Sequence, residues 1–326
     1  MTRTLLRFCI ALGLAFGLGW AAAANTARAQ DYPARRITIV CAFAAGGSVD
    51  AAARIIAEKL RERWGIPVVV ENRLGAAGNI AAAAVARATP DGGTLLLTAS
   101  GVAINQSLYV NPGYSIKELR PLSLPAVNSS VMAIHPDNSA RTLQQFFDAH
   151  RAKGFVYGAS GVGSGAQITA AYMFKDLAKV DAVLTPYQGG APAATALMGK
   201  HIDLISVALP DIATLVQTGK LRALGVSGAE RSEALPDVPT YSEAGFPGYV
   251  VYGWTAAMAP AGISDELAGR LNAAINDILA MPDVKQKLEA VGFAPNRQSL
   301  PDTEKRLAAD VASWAKMVSA LGLQIK

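Results

Sequence analysis

Two glycine-rich turns organise this chain of 326 residues: Phe43-Ala44-Ala45-Gly46-Gly47-Ser48 and Gly158-Ala159-Ser160-Gly161-Val162-Gly163-Ser164-Gly165. Each turn follows a short apolar run typical of a β-strand and precedes an amphipathic stretch with helical spacing. The first residues of a helix have backbone N–H groups without intrahelical partners and carry a partial positive charge. An anion at a helix start is therefore stabilised without a lysine or an arginine. Two helix starts that face each other would hold a small anion between them.

Residues 1–29 have the organisation of a secretory signal peptide, with a positive start, an apolar middle and a small-x-small cleavage site. These three parts are Arg3 with Arg7, Leu5–Leu18, and Ala27-Arg28-Ala29. We predict cleavage near Ala29 and a periplasmic protein that starts at Gln30. A membrane anchor is the alternative, and it is disfavoured because Arg28 would lie on the exported side.

The composition excludes several classes of protein. The formal net charge is +5, but Arg3, Arg7 and Arg28 belong to the predicted signal peptide, which has no acidic residue, so +2 remains after cleavage. No basic run with interleaved aromatic residues is present, which disfavours nucleic-acid binding. The three histidines have no metal-ligand spacing, and no serine stands in the glycine-flanked turn of the α/β-hydrolases. We therefore expect a protein that is not an enzyme and has no metal or cofactor.

Short apolar runs alternate with helical patterns, which predicts an α/β fold with parallel sheets covered by helices. The strand candidates are Ile37–Ala42, Pro67–Val70, Thr94–Thr98, Val131–His135, Phe155–Ala159, Ala182–Tyr187, Ile202–Val207, Leu221–Ser227 and Val250–Met258. The helix candidates are Val49–Arg63, Ala166–Leu177, a helix that begins at 189–192, Ser264–Ala280, Pro282–Ala290 and Asp302–Leu321.

The last three helices need a sheet to cover, so we expect them to return to the first of two lobes. The second lobe is then an insertion in the first. This organisation predicts lobe 1 from residues 30–128 and 253–326, and lobe 2 from residues 129–252. The chain crosses between lobes near 125–130 and near 252–253, and paired crossings of this kind act as hinges in proteins that close around a ligand.

One motif favours a different function. Gly161-Val162-Gly163-Ser164-Gly165-Ala166 fits the dinucleotide pattern G-x-G-x-x-A, and Asp181 follows at the spacing of the ribose-binding acid. The alternative is therefore an exported dinucleotide-binding oxidoreductase. Export, the second glycine turn and the absence of a placed catalytic acid or base in the sequence disfavour it.

Several blocks of the sequence, in one order, resemble the Bug family of periplasmic solute receptors related to tripartite tricarboxylate transporters. The blocks are Tyr32-Pro33, Ile37-Thr38-Ile39-Val40, 43–50, Val70-Glu71-Asn72-Arg73, 75–80, Pro90-Asp91-Gly92, 186–193, 220–224 and 235–245. The resemblance implies a type II periplasmic-binding-protein fold with two α/β lobes and a small carboxylate in the cleft. It also implies a membrane permease or a sensor protein as partner, and we expect a monomer.

By position, the resemblance carries ligand-binding roles to residues of both lobes. They are Phe43, Ala44, Gly46, Gly47, Ser48, Asp50, Thr98 and Ser100 in lobe 1, and Ser160, Gly161, Gly163, Ser164, Tyr187, Gln188, Gly189, Gly190 and Ala191 in lobe 2. Asp50 is acidic where an anion should bind, so we interpret it as a capping or water-ordering residue.

The chain also departs from the family pattern. Ala45 stands where the family usually has proline, and Val207-Ala208 stand where many relatives have Asp-Asn. The second change makes the distal pocket less polar. We therefore expect a ligand with one carboxylate and an apolar or aromatic remainder, contacted by Phe43, Tyr187 or Trp254.

Overall fold

The computed structural model describes residues 36–290 and 292–325. The predicted signal peptide and the start at Gln30 lie outside these residues. The strands are β1 (Ile37–Cys41), β2 (Val68–Asn72), β3 (Thr94–Ala99), β4 (Leu119–Ile134), β5 (Phe155–Ala159), β6 (Ala182–Pro186), β7 (Leu204–Ala208), β8 (Arg222–Val226), β9 (Tyr252–Pro260) and β10 (Ala294–Pro295).

The α-helices alternate with these strands as far as β8 and dominate the C-terminal part. They are α1 (Ser48–Trp64), α2 (Asn79–Ala86), α3 (Gly101–Leu108), α4 (Leu143–His150), α5 (Gly165–Tyr172), α6 (Gly190–Met198), α7 (Leu209–Gln217), α8 (Asp265–Leu279), α9 (Pro282–Ala290) and α10 (Leu300–Leu321). A wider π-helical segment, Met173–Ala178, continues α5. Among the described residues, every helix is too short or too polar to span a lipid bilayer.

The strands follow one path in the order β2-β1-β3-β9-β4-β7-β5-β6, and β8 and β10 also pair with β4. Pairing is parallel within β2-β1-β3 and within β6-β5-β7. Every pair that includes β4 or β9 is antiparallel. The expectation of wholly parallel sheets is therefore wrong for these two strands. Because β4 carries the chain out of the first lobe and β9 brings it back, the two must run in opposite directions.

The long strand β4 joins the two lobes. Ser129 of β4 pairs with Tyr252 of β9, whereas Ser130 pairs with Ala208 of β7. The pairing partner thus changes at the end of the segment 125–130. We use "first lobe" for β1–β3, β9, the first part of β4 and the helices α1–α3 and α8–α10. The first lobe also includes β10, which pairs with Ala126 and Val127 of β4. The "second lobe" comprises the rest. The exact boundaries given above stay a prediction.

Three clusters of buried apolar residues form the core, and the cluster of the first lobe also includes Ile168 of α5. In the first lobe, buried residues of the C-terminal helices, such as Leu271 of α8 and Trp314 of α10, pack in one cluster with Ile39 of β1. The second lobe has one cluster on each face of its strands, with Phe147 in one and Val207 in the other. Each fully buried large apolar side chain contributes about 1.5–3 kcal/mol to folding. The two-lobed α/β architecture predicted from the sequence is confirmed.

Candidate functional site

A cavity of about 60 Å³ lies between the lobes. It is several times larger than the roughly 10–15 Å³ that one water molecule requires. Its wall is built from the junctions β1–α1, β3–α3, β5–α5, β6–α6 and β7–α7, together with β4 and β9. Each of these junctions follows the carboxyl end of a strand, which is where ligands bind in open α/β sheets.

Many of the site residues predicted from the sequence line this cavity. They are Phe43, Ala44, Gly47, Ser48, Ser100, Ser160, Ser164, Gly189, Gly190 and Ala191. The structure thus brings the two glycine-rich turns to one shared space, as the arrangement of two facing helix starts requires. Whether each of these residues contacts a ligand stays a prediction.

Other predicted residues lie beside the cavity. Gly161, Tyr187 and Gln188 line a neighbouring cavity of about 200 Å³ that also contacts Phe43 and Ser160. The backbone N–H of Ala44 donates to the carbonyl oxygen of Gln188 at 3.3 Å, which joins the lobes between the two cavities. Tyr187 therefore faces the neighbouring cavity, not the one that Trp254 lines.

The remaining predicted residues are held by other groups. Thr98 is buried, with its hydroxyl beside Gly78. Gly163 packs against Asn105 and Leu108 of α3, and a Cβ atom at this position would overlap both. Gly46 lies behind the first turn, where its N–H donates to a carboxylate oxygen of Asp50 at 3.0 Å.

Asp50 supports the first turn from behind the cavity. Its carboxylate accepts hydrogen bonds from Arg54 Nε at 2.8 Å and from Asn72 Nδ2 at 2.8 Å, besides the bond from Gly46. Asn72 Nδ2 also donates to the carbonyl oxygen of Phe43 at 2.9 Å. Burial opposes ionisation of Asp50, but these bonds outweigh it and hold the pKa of the carboxyl below its ordinary value. The arrangement fits the interpretation of Asp50 as a capping residue.

Helix starts around the cavity present backbone donors. The N-cap residues of α1, α6 and α7 are Gly47, Gly189 and Ala208, and none of them caps its helix through its own side chain. At α1 the Ser48 N–H is paired with Asp211 Oδ1 at 2.9 Å. At α5, the hydroxyl of Ser164 accepts a hydrogen bond from the N–H of Gln167. The first turns of α1, α6 and α7 therefore present partial positive charge toward the cleft.

Two hydroxyl groups in the cavity wall are left without partners. Ser160 Oγ and Thr255 Oγ1 are buried and have no hydrogen-bond partner among the described residues. A buried hydroxyl without a partner costs free energy, about 1–3 kcal/mol when its partner is removed by mutation. Such groups are suited to a polar ligand that enters the cavity.

Asp211 is the one acidic side chain in the described wall of the cavity. The Ser48 N–H donates to Asp211 Oδ1 at 2.9 Å, a contact from the first lobe to the second. Some surface of Asp211 stays accessible, but its carboxyl lies among protein atoms. Burial raises its pKa, and hydrogen bonds from the hydroxyl and the N–H of Ser48 oppose that shift.

Sequence analysis missed Asp211, Thr255, Asn128 and Ser130, all of which line the cavity. The sequence prediction rests on glycine-rich turns, and the β7–α7 junction has no glycine. A usable signal was present, because Asp211 closely follows a strand and stands in the first turn of a helix. The strand residues gave no local signal.

The described wall of the cavity contains no lysine, arginine or histidine. No group of three or more metal-binding side chains occurs in the described residues. On its apolar side the wall includes Phe43, Val49, Trp254 and Phe293. The site can therefore hold an anion through backbone amides and hydroxyls, next to an apolar surface.

The dinucleotide motif does not form a cofactor site. Asp181 precedes β6, whereas the turn Gly161–Ala166 follows β5, which runs parallel to β6. The turn therefore lies at the carboxyl ends of these strands and Asp181 at their amino ends, roughly 15 Å apart at about 3.3 Å per residue. Gly163 is also covered by α3. The position proposed for the ribose acid is wrong in this fold.

Comparison with known proteins agrees with this geometry. The model of the tripartite tricarboxylate transporter family receptor matches residues 52–323. Protein BugT of Bordetella pertussis is 32% identical over 304 residues, which cover 91% of this chain and 93% of BugT. The structure of R. palustris Rpa4515 with adipate is 30% identical with a TM-score of 0.86, and covers 90% of this chain and 99% of that chain.

A second structure, MatC (Rpa3494) from Rhodopseudomonas palustris with bound malate, is 28% identical with a TM-score of 0.82. It covers 88% of this chain and 100% of that chain. Proteins of this kind are periplasmic solute receptors and not enzymes. Because the family match extends over most of the sequence and includes both lobes, this chain belongs to the tripartite tricarboxylate transporter receptor family of Bug-type solute-binding proteins.

Proposed function

We propose that this chain captures a small carboxylate between its two lobes and presents the closed, liganded form to a membrane transporter. The observation that supports this most strongly is the pair of partnerless hydroxyls, Ser160 Oγ and Thr255 Oγ1, in a cavity that several helix starts face. Hydroxyls and helix-start amides stabilise a carboxylate without a cation. Closure around a ligand then follows from its higher affinity for the closed form.

The ligand in this proposal has one carboxylate and an apolar or aromatic remainder. Phe43, Trp254 and Phe293 give the cavity an apolar side. Trp254 is held in place because its Nε1–H donates to Asp310 Oδ2 at 2.8 Å. The relatives whose structures contain adipate and malate support a carboxylate as the ligand class.

We also propose that the chain is exported to the periplasm and cleaved near Ala29. The mature protein acts as a monomer without a cofactor. Its lobes are bounded at residues 128/129 and 252/253. Its partner is a set of membrane permease subunits or a sensor protein. The family match supports the transport partner.

Isothermal titration calorimetry with benzoate, hexanoate, adipate, malate and citrate tests the ligand class. We expect binding of benzoate or hexanoate, and affinity about 10-fold to 100-fold weaker in Ser160→Ala and in Thr255→Val, since each loses a hydrogen bond to a charged group. Ser313→Ala, an exposed position on α10, is the matched control and should bind like the wild type.

Two results would contradict the proposal. If none of the five acids binds, the receptor function for small carboxylates is wrong. If citrate or malate binds tightly and benzoate and hexanoate do not, the proposal that the ligand has an apolar or aromatic remainder is wrong. A nicotinamide or flavin absorbance band in the purified protein would instead favour the dinucleotide alternative.

A further inference from the structure

We propose that Asp211 is an internal carboxylate that occupies the anion position between α1 and α6, and so restricts the ligand to acids with a single carboxylate. This inference rests on the proposed function and defines its substrate class. The sequence predicts the ligand's own negative group between the starts of α1 and α5, whereas Asp211 lies between the starts of α1 and α6, again two helices from opposite lobes.

The contacts of Asp211 define this position. Ser48, the first residue of α1, donates its N–H to Asp211 Oδ1 at 2.9 Å. The other carboxylate oxygen lies over Gly190, the first residue of α6, so closely that a Cβ atom there would overlap it. Gly47 also borders the carboxylate, at 3.8 Å from a built Cβ. One carboxylate group therefore contacts both helix starts.

The charge of Asp211 is not balanced by a cationic side chain in the described wall of the cavity. Its partners are neutral, namely the Ser48 hydroxyl and N–H together with the partial charges of the helix starts. These donors are the ones that a ligand carboxylate would use at this place. The Asp211 carboxylate already occupies these donors. A second negative group at the same position would therefore lack hydrogen-bond donors and would be repelled by the charge of Asp211.

Other groups of the same cavity can bind one ligand carboxylate. Thr255 is 1% exposed and lines the cavity, and its buried Oγ1 has no hydrogen-bond partner among the described residues. Ser160 Oγ is likewise buried and has no hydrogen-bond partner among the described residues. The start of α5, at Ser164 and Gly165, borders the same cavity. A monocarboxylate bound by these groups would place its remainder against the apolar wall.

Burial in one cavity strengthens the discrimination. Asp211 and Thr255 line the same cavity, so both carboxylates of a bound dicarboxylic acid would lie in the space that already contains the Asp211 carboxylate. Repulsion between buried like charges weakens binding steeply, because neither charge is screened by bulk water. We expect the wild type to bind a dicarboxylate at least about 30-fold more weakly than the monocarboxylate of the same skeleton.

The test compares matched acids, hexanoate with adipate and benzoate with terephthalate, by isothermal titration calorimetry. The variants are Asp211→Asn, which removes the charge and keeps the shape, and Asp211→Ser, which also frees the space. Asp237→Asn is the charge-matched control, since Asp237 is exposed and outside the cavity. The readout is the affinity ratio of dicarboxylate to monocarboxylate within each variant, which is insensitive to a change in the folded fraction.

The inference predicts that this ratio rises at least about 10-fold in Asp211→Ser, rises less in Asp211→Asn, and is unchanged in Asp237→Asn. Equal binding of both members of a pair by the wild type overturns it, as does an unchanged ratio in Asp211→Ser. Either of these two results would contradict only the role of Asp211 and would leave the proposed carboxylate-receptor function standing. Failure of every acid to bind, in the wild type and in all variants, overturns the proposed function and this inference together.

Discussion

Adding one methyl group at Gly190 should break the contact between the lobes at Asp211. A Cβ atom built at Gly190 lies 2.5 Å from Asp211 Cβ and overlaps the carboxyl group beyond it. Because the Asp211 Cβ atom itself is too close, rotation of the side chain does not remove the overlap. The starts of α6 and α7 must separate, and the carboxylate must leave the Ser48 N–H that it contacts at 2.9 Å.

The magnitude follows from these two effects. Forcing an extra methyl group into a packed contact costs about 1–3 kcal/mol. Loss of the hydrogen bond from Ser48 to a charged carboxylate costs about 1.5–3 kcal/mol. Release of Asp211 from burial offsets part of this, because burial raises its pKa. We expect Gly190→Ala to lower the free energy of unfolding by about 2–4 kcal/mol.

Urea unfolding followed by far-UV circular dichroism measures this change. Gly269→Ala in α8 is the matched control, because a Cβ atom there meets nothing within 4 Å. Alanine in place of a helical glycine should stabilise that variant by about 0.5–1 kcal/mol. The double variant Gly190→Ala/Asp211→Gly removes the overlapping side chain, so the two substitutions should be coupled by at least about 1 kcal/mol.

A Gly190→Ala protein within about 0.5 kcal/mol of the wild type would refute this reasoning. It would mean that the Asp211 carboxyl is not held over the start of α6. Additive effects in the double variant would refute it as well, since the cost would then arise from somewhere other than the contact between these two residues.

Three further predictions concern pH, the thiol and the second turn. Asp50→Asn and Asp211→Asn should change the pH dependence of urea unfolding in opposite directions. The stabilisation by Asp50 is present above its ordinary pKa of 3.8 and is lost as pH falls through its lowered folded pKa. The destabilisation by Asp211 is absent below pH 3.8 and grows as pH rises toward its raised folded pKa. Burial raises the pKa of the Cys41 thiol to about 11, so iodoacetamide at pH 8 should leave Cys41 unmodified in the native protein and alkylate it in urea, as measured by mass spectrometry. Gly163→Ala should destabilise the protein by about 1–3 kcal/mol in thermal or urea unfolding, because φ is +88° and the new Cβ atom would overlap Asn105.

Much of the fold was predictable because its signals are local. The strand Phe155–Ala159 and the helix Pro282–Ala290 agree with the structure at both ends. The first part of β4 was missed, since Pro121 and Pro125 argue against a strand. The pairing register of β4 with β9 shifts between Pro121 and Ser123 and again between Ser123 and Ala126, so irregular pairing accommodates the prolines.

In the candidate site, only the glycine turns that bring backbone amides to the cavity could be predicted from the sequence. A glycine turn between a strand and a helix is visible in a few adjacent residues, and Gly47 and Gly189 accordingly line the cavity. The role of Asp211 depends on Ser48, which is 163 positions away in the chain. No local pattern contains that relation. The partnerless hydroxyl of Thr255 likewise becomes visible only when the surrounding strands are in place.

An internal carboxylate at the junction of the lobes has a consequence for closure. The bond from Ser48 to Asp211 aligns the lobes, but forming it buries a carboxyl that burial disfavours in its charged form. Burial offsets part of the stabilisation by this hydrogen bond, so the contact alone supplies only a part of the preference for the closed form. A receptor must reopen to release its ligand, and a ligand shifts the lobes only by the difference between its affinities for the closed and open forms. Under the proposed function, Asp211 sets the geometry of closure, and a ligand carboxylate at Ser160 and Thr255 would supply the free energy that favours it.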